Sequence, residues 1–332
     1  MQKPIFILGA HKSGTSLLRS IFDAHEDLFT LPIGSHFFAL LGRWIEYYYR
    51  KQRPRHHSRK NFINRANQLL NKNNNSDNYL GGSVVRGVFD VQSFDSYLKS
   101  NLKADLNSRE ELEHYFEVYI KAIHFSLYGC EMDDSKRIVE KSVENVEFAF
   151  DLKQMFPEAV FVHIVRNPYA NIVSIRKYQS IMRGGTYPWI GSAYRTLRNS
   201  YYFLYRNRHL INNYTVVRYE DLVTTPQKSI EFICERTGVR FMESMLTPTF
   251  LGEPWLGNST TFMKFDTISS ERVDGWQKEI RPLEAELINK YLSHVVDDFG
   301  YQQLQMGKSV FLPVRKETLM TYIKNRSLWF IG

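Results

Sequence analysis

The sequence predicts an α/β fold with a central parallel sheet flanked by helices. Three observations predict it. The chain opens with a short apolar run, residues 4–8, that meets glycine at Gly9 and then turns to helical spacing. From residue 137 to 238, strand-like and helix-like segments alternate. The strongest strand signal, AVFVHIVRN at 159–167, sits in the middle of that alternation. Strands separated by helices build parallel sheets, and such sheets bind ligands beyond the carboxyl ends of their strands.

Each element follows from local pattern. Residues 4–8 suit a strand buried on both faces. From Thr15 the apolar residues Leu17, Leu18, Ile21 and Phe22 fall at helical spacing. Residues 36–70 are helical in part, and the polar run NKNNNSDN, 71–78, predicts a loop in which nothing packs. Leu112, Tyr115, Phe116, Tyr119, Ile120 and Ile123 predict a helix over 109–129. RIVEKS, 137–142, is a short strand, and VEFAFDLKQMFP, 146–157, a helix closed by Pro157. Pro168 suits the first turn of the helix that follows the 159–167 strand. A long aromatic helix occupies about 190–212, and YTVVRYEDL, 214–222, is a further strand. Residues 225–238 form a helix that Gly238 can cap, and the tail from about 280 is mostly helical. No internal repeat is present. We read 1–332 as a single domain with a helical insert at about 36–130 and a helical tail at about 280–332.

Composition narrows the function. Hydrophobic residues make up 43% of the chain, enough for a substantial core. Lys and Arg number 43 against 35 Asp and Glu, an excess of +8 that favours anionic ligands. Much of it lies between Arg43 and Lys60, a stretch that also carries His56 and His57 and reads as a solvated helix end and loop, with a basic rim steering an acidic substrate as the alternative. No nucleic-acid reader motif accompanies it. The two cysteines, Cys130 and Cys234, form no C-x-x-C pair, which argues against a zinc site and suits a reducing compartment. The opening PIFILG is too short for a secretion signal, and no apolar run reaches membrane-spanning length, so the expected location is cytoplasmic. The basic, aromatic C-terminal run VRKETLMTYIKNRSLWFIG suits packing on its own domain, or contact with a membrane surface or partner.

The chemistry centres on GAHKSGTS, residues 9–16. Gly9 and Gly14 stand at the spacing of the phosphate loop G-x-x-x-x-G-K-[ST], but Thr15 occupies the lysine position and the lysine lies inside the loop, at Lys12. Backbone N–H groups of such a loop, backed by a helix N-terminus, cradle an anion, and Ser13, Thr15 and Ser16 add hydroxyls. Lys12 is placed to neutralise a leaving phosphate oxygen, and no metal is then required. A second basic group, Arg166, ends the 159–167 strand and can fork onto a phosphate.

These residues resemble the sulfotransferases that use 3′-phosphoadenosine 5′-phosphosulfate (PAPS). Their first motif is similar to Gly9-Ala10-His11-Lys12-Ser13-Gly14-Thr15-Ser16, and their second, R-[DN]-P followed by a serine, to Arg166-Asn167-Pro168 and Ser174. The resemblance covers about 1–300 and implies a P-loop-NTPase-like three-layer α/β fold. It implies that His11 to Ser16 hold the 5′-phosphate and Lys12 assists its departure. Arg166 and Ser174 would grip the 3′-phosphate, and Lys141, in RIVEKS, would approach the transferring sulfonyl group. Tyr219 would touch the adenine, and Arg272, in SSERVDGW, would lie in the segment that closes over the cofactor.

Sulfonyl transfer also needs a base for the acceptor proton. Small-molecule members of the family carry histidine after K-T; here Val143 follows Lys141-Ser142. Carbohydrate, tyrosyl-protein and bacterial branches use a glutamate shortly after the first helix, and this chain resembles them more closely. Ser35 or His36 falls at that place, and His36 is the candidate base because imidazole titrates near neutrality. Glu140 and Glu144 are the alternatives. The expected activity is sulfonyl transfer from PAPS to a hydroxyl or amine, with a carbohydrate or other polar small molecule as acceptor. Two rivals remain open: an ATP- and magnesium-dependent phosphotransferase, and a non-catalytic nucleotide-binding scaffold.

Overall fold

The computed structural model describes residues 3–42, 58–75, 86–103, 105, 109–258, 260, 267–271, 273–305 and 316–330. The strands β1 (Ile5–Gly9), β2 (Leu28–Thr30), β3 (Arg137–Glu140), β4 (Val160–Val165) and β5 (Tyr214–Arg218) form one sheet in the order β2-β3-β1-β4-β5. Every adjacent pair is parallel, as the alternation of strands and helices predicts. The first helices are α1 (Thr15–Asp23), α2 (Phe37–Leu40), α3 (Arg59–Asn74), α4 (Val91–Asn101), α5 (Arg109–Tyr128) and α6 (Asn145–Met155). They are followed by α7 (Pro168–Ile181), α8 (Ile190–Leu210), α9 (Tyr219–Thr224) and α10 (Pro226–Thr237). A short antiparallel hairpin, β6 (Thr249–Phe250) and β7 (Glu253–Pro254), precedes α11 (Pro282–Tyr291), α12 (Ser293–Asp298) and α13 (Leu319–Phe330).

Strand periodicity sorts the core into layers. Ile5 and Ile7 of β1 face α1 and α10, where Leu18, Ile21, Phe22, Ile230 and Ile233 meet them. Phe6 and Leu8 point the other way, into a cluster with Phe116 and Ile120 of α5 and Phe148 and Leu152 of α6. Each of these fully buried side chains contributes about 1.5–3 kcal/mol. A third cluster joins α7, α8, α11 and α12. β1 lies between β3 and β4, so the chain leaving all three strands emerges along one edge of the sheet.

The structure departs from the sequence expectations at several places. The predicted loop at 71–78 is helical as far as Asn74, because α3 is capped by Ser58, buries Phe62, Ile63, Ala66 and Leu70, and ends in asparagines that bond backbone. Asn74 takes Phe89 N–H and donates to the Phe89 carbonyl, which contradicts the expectation that nothing there packs; 76–78 lie outside the described residues. The strand expected over 214–222 stops at Arg218, and Tyr219 opens α9 with Glu220 and Asp221 in its first turn, where acids favour a helix N-terminus. The strand at 137–142 ends at Glu140, and the 190–212 helix at Leu210. β2 carries no sequence signal because only three residues pair. No helix among the described residues is long and apolar enough to cross a membrane.

Candidate active site

The segments leaving β1, β3 and β4 enclose a cavity of about 370 Å³. The loop after β1 forms its floor. Gly9 has φ +150°, and a Cβ there would come within 2.7 Å of the Ile164 carbonyl, so only glycine lets β1 pass so close to β4. Gly14, at φ +110°, caps α1 and lies beneath the Tyr219 ring; a Cβ would stand 2.5 Å from Tyr219 Cδ2. Lys12 is also left-handed, at φ +62°. His11, Lys12, Gly14, Thr15 and Ser16 line the cavity. Ser13 does not: its hydroxyl turns inward to the Ala10 carbonyl at 2.8 Å and fixes the loop.

The turn after β4 supplies the opposite wall. Asn167 caps α7 through Tyr169 N–H, with Pro168 in the first turn. Glu220 accepts from Asn167 N–H and from the Tyr301 hydroxyl, and Tyr201 donates to the Arg166 carbonyl. Held this way, the Arg166 guanidinium stacks 4.6 Å over Tyr219 and donates through Nη1 to the Lys12 carbonyl at 2.9 Å. Its Nε is buried with no hydrogen-bond partner among the described residues. Asn171 of α7 donates to the His11 carbonyl, tying the two walls together. Ser174 and, on the next positions of the same helix, Lys177 and Tyr178 also line the cavity.

Lys12 and Lys141 add to the charge that Arg166 and Lys177 bring to the cavity. Lys12 Nζ donates to the Asn258 carbonyl at 3.1 Å and lies 5.6 Å from the Tyr178 ring. Burial, with Arg166 and Lys141 nearby, pulls its ammonium down to about 8. Burial and the charge of Arg19 bring Lys141 down to about 8 as well. Burial holds His11 near 4, so its imidazole is neutral at pH 7.

His36 stands at the edge of this charge. It is a non-glycine residue at φ +48°, a conformation that costs energy unless its surroundings impose it. They do. His36 N–H donates to Ser142 Oγ at 3.1 Å, and Ser142 in turn donates to Glu140 Oε1 at 2.5 Å. Ser35 N–H and the Asn145 amide also donate to Glu140, and the Tyr119 hydroxyl donates to the Ser35 carbonyl. Gly34 leaves room for the ring, since a Cβ there would meet His36 Nε2 at 3.0 Å. The imidazole donates through Nδ1 to Glu144 Oε1 at 2.7 Å, which leaves Nε2 as the acceptor nitrogen. Its side chain is 34% exposed, while that of Glu144 is wholly buried. Burial pulls the imidazole down, but the Glu144 carboxylate and its hydrogen bond more than offset this, and the net shift is upward. Burial pushes the Glu144 carboxyl up, but the charge of His36 and its hydrogen bond outweigh this and hold it below its usual range.

The structure thus brings His11, Lys12, Gly14, Thr15, Ser16, His36, Lys141, Arg166, Ser174 and Tyr219 onto one cavity. Arg272 lies outside the described residues. Of the two glutamates weighed as bases, Glu144 is the partner of His36 and Glu140 is a buried anchor whose carboxyl is raised by burial. Lys177 and Tyr178 were legible at three and four residues beyond Ser174, on its helical face. The Asn258 carbonyl carries no sequence signal, because the contact is through backbone.

The model of the sulfotransferase family matches residues 4–243. No match was found among curated proteins. Among solved structures, a sulfotransferase domain from the curacin biosynthetic pathway is 20% identical, covers 92% of this chain and 99% of its own, and superposes with a TM-score of 0.56. The sulfotransferase domain of an olefin synthase from Synechococcus PCC 7002 is also 20% identical, covering 91% of this chain and 97% of its own with a TM-score of 0.54. At this identity the likeness concerns the fold.

Proposed function

The chain belongs to the sulfotransferase family, and we propose that it transfers a sulfonyl group from PAPS to a hydroxyl of a polar acceptor, with His36 as the base. The observation that carries this reading is the convergence of two phosphate grips and a histidine–glutamate pair on one cavity. The buried, unpartnered Arg166 Nε and the glycine-lined loop fit a nucleotide with phosphates at both ends. The backbone of 11–16 would hold the 5′-phosphate, Arg166 and Ser174 the 3′-phosphate, and Tyr219 the base.

Bound PAPS supplies a sulfonyl group on an activated phosphate. His36 Nε2 receives the acceptor hydroxyl proton as the acceptor oxygen bonds to sulfur. Glu144 fixes the tautomer and offsets the charge His36 gains. With PAPS bound, Lys12 and Lys141 would counter the negative charge on the phosphate oxygen that leaves sulfur as the acceptor oxygen bonds to it. Trp255, Tyr178, Lys177 and Asn258 are among the other lining residues, and these rings and polar groups support a carbohydrate-like acceptor. The free cysteines Cys130 and Cys234 support a reducing, cytoplasmic setting. We read the whole chain as one catalytic unit.

A labelled-sulfate transfer screen over sugars, phenols and lipids tests the reaction. We expect transfer to a sugar or comparable alcohol, and greater thermal stabilisation by 3′-phosphoadenosine 5′-phosphate than by ATP with magnesium. Stabilisation by ATP and magnesium alone would favour a phosphotransferase; nucleotide binding without turnover would favour a scaffold.

A further inference from the structure

The C-terminal helix α13 is held through Asn325 on one face and, among the described residues, is open on the other. Asn325, 4% exposed, takes Ile190 N–H through Oδ1 and donates to the Pro188 carbonyl and to Glu317. The outward face carries Leu319, Met320 and Ile323, which are 74%, 63% and 54% exposed. Three large apolar side chains within five residues are an unusual cost for a surface that meets only water. The turn after α7 adjoins the start of this element: Tyr187 N–H donates to the Lys316 carbonyl, and Lys316 Nζ lies near Gly185. That turn adds Met182, 56% exposed.

Charge narrows the occupant. Lys316, Lys324 and Arg326 flank the apolar face, and Arg183 stands exposed on the adjoining turn. Neither α13 nor the 182–187 turn contains an acidic residue, and the nearby Glu317 is engaged by Asn325. A two-fold pairing of this face with a second copy would set these cations against themselves. An anionic bilayer surface meets both demands: headgroups pair with the lysines and arginines while the apolar side chains enter the acyl boundary.

We propose that α13 and the adjoining turn dock the protein on an anionic membrane surface. The docked face lies close to the reaction site along α7, since Met182 is one helical turn, about 6 Å, beyond the cavity residue Tyr178. The helix lies on the bilayer and does not cross it.

Flotation of the full chain with vesicles tests this without any turnover assay. Vesicles of phosphatidylcholine with about 30% phosphatidylserine should bind at least about tenfold more protein than phosphatidylcholine alone, and salt should weaken the binding. The triple variant Leu319→Ser, Met320→Ser, Ile323→Ser and the pair Lys324→Glu, Arg326→Glu should each lose most of it. Both should keep the unfolding temperature of the parent chain. Equal binding to neutral vesicles, no binding to either, or unchanged binding by the variants would overturn the proposal. So would loss, in the same variants, of a stable dimer or of capture by an acidic protein with vesicle binding unaltered.

Discussion

His36 Nδ1 lies 2.7 Å from Glu144 Oε1, joining a partly exposed imidazole to a wholly buried carboxylate. The pair sets both the pH response and the tautomer of the proposed base. A neutral His36 is needed to take a proton, so kcat/KM should rise with pH through the raised imidazole value. Glu144→Gln removes the group that raises it and should move that rise to lower pH while reducing the rate. His36→Ala should cost about 100-fold or more in kcat. The assignment is lost if the alanine variant turns over normally. Glu140→Gln should behave differently, lowering thermal stability more than rate, because one of its three donors would then face an amide N–H.

The same pair makes a signed prediction for stability. His36 is raised in the folded state, so its contribution is complete below the ordinary imidazole value of 6.5 and is lost as pH rises through the folded value. Glu144 is lowered, so its contribution is complete above 4.5 and is lost as pH falls through its folded value. The difference in unfolding temperature between parent and Glu144→Gln should therefore be greatest between about 4.5 and 6.5. A difference that does not vary with pH would show that packing, not charge, sets it.

Lys12 and Lys141 lose their protons near pH 8 in the free enzyme. The proposed mechanism needs both charged, so kcat/KM should fall above about pH 8, giving a bell with the His36 limb on its acid side. An anionic donor beside them favours the charged form, so the alkaline limb of kcat should lie at higher pH than that of kcat/KM. Identical alkaline limbs in the two profiles would count against these lysines as the charge carriers. Lys12→Met should lower kcat more than it weakens nucleotide binding.

Arg166 should read the 3′-phosphate. The parent chain should be stabilised more by 3′-phosphoadenosine 5′-phosphate than by adenosine 5′-phosphate, and Arg166→Ala should stop distinguishing them. Arg166→Lys should recover only part of the difference, because an ammonium cannot fork or stack on Tyr219 as the guanidinium does. Full discrimination by the alanine variant would place the 3′-phosphate elsewhere.

Gly14→Ala should fold poorly or bind nucleotide weakly. The new Cβ would lie 2.5 Å from the Tyr219 ring at φ +110°, a combination worth about 1–3 kcal/mol in strain alone. Pairing it with Tyr219→Ala should restore only part of the stability, since the strained backbone remains. Denaturant unfolding of the three variants separates the two effects.

Features built from neighbouring residues are legible in the amino-acid order alone. The glycine spacing of 9–14, the lysine displaced to 12, and the Arg166-Asn167-Pro168 turn followed by Ser174 are local patterns, because a strand–loop–helix carries its own geometry in consecutive residues. The parallel sheet is legible for the same reason, in the alternation of apolar runs with helical spacing. The surroundings of Tyr219 are not: Gly14 and Arg166, both remote in sequence, pack on its ring. The choice between His36, Glu140 and Glu144 cannot be read from order along the chain either. It depends on which carboxylate the fold turns toward the imidazole and which it anchors to the 35–36 backbone, a matter of contacts across more than 100 residues that burial makes decisive. The two loop patterns read as phosphate grips were thus set by the amino-acid order; that their residues share one cavity with a paired histidine was set by the packing of β3 and β4 on either side of β1.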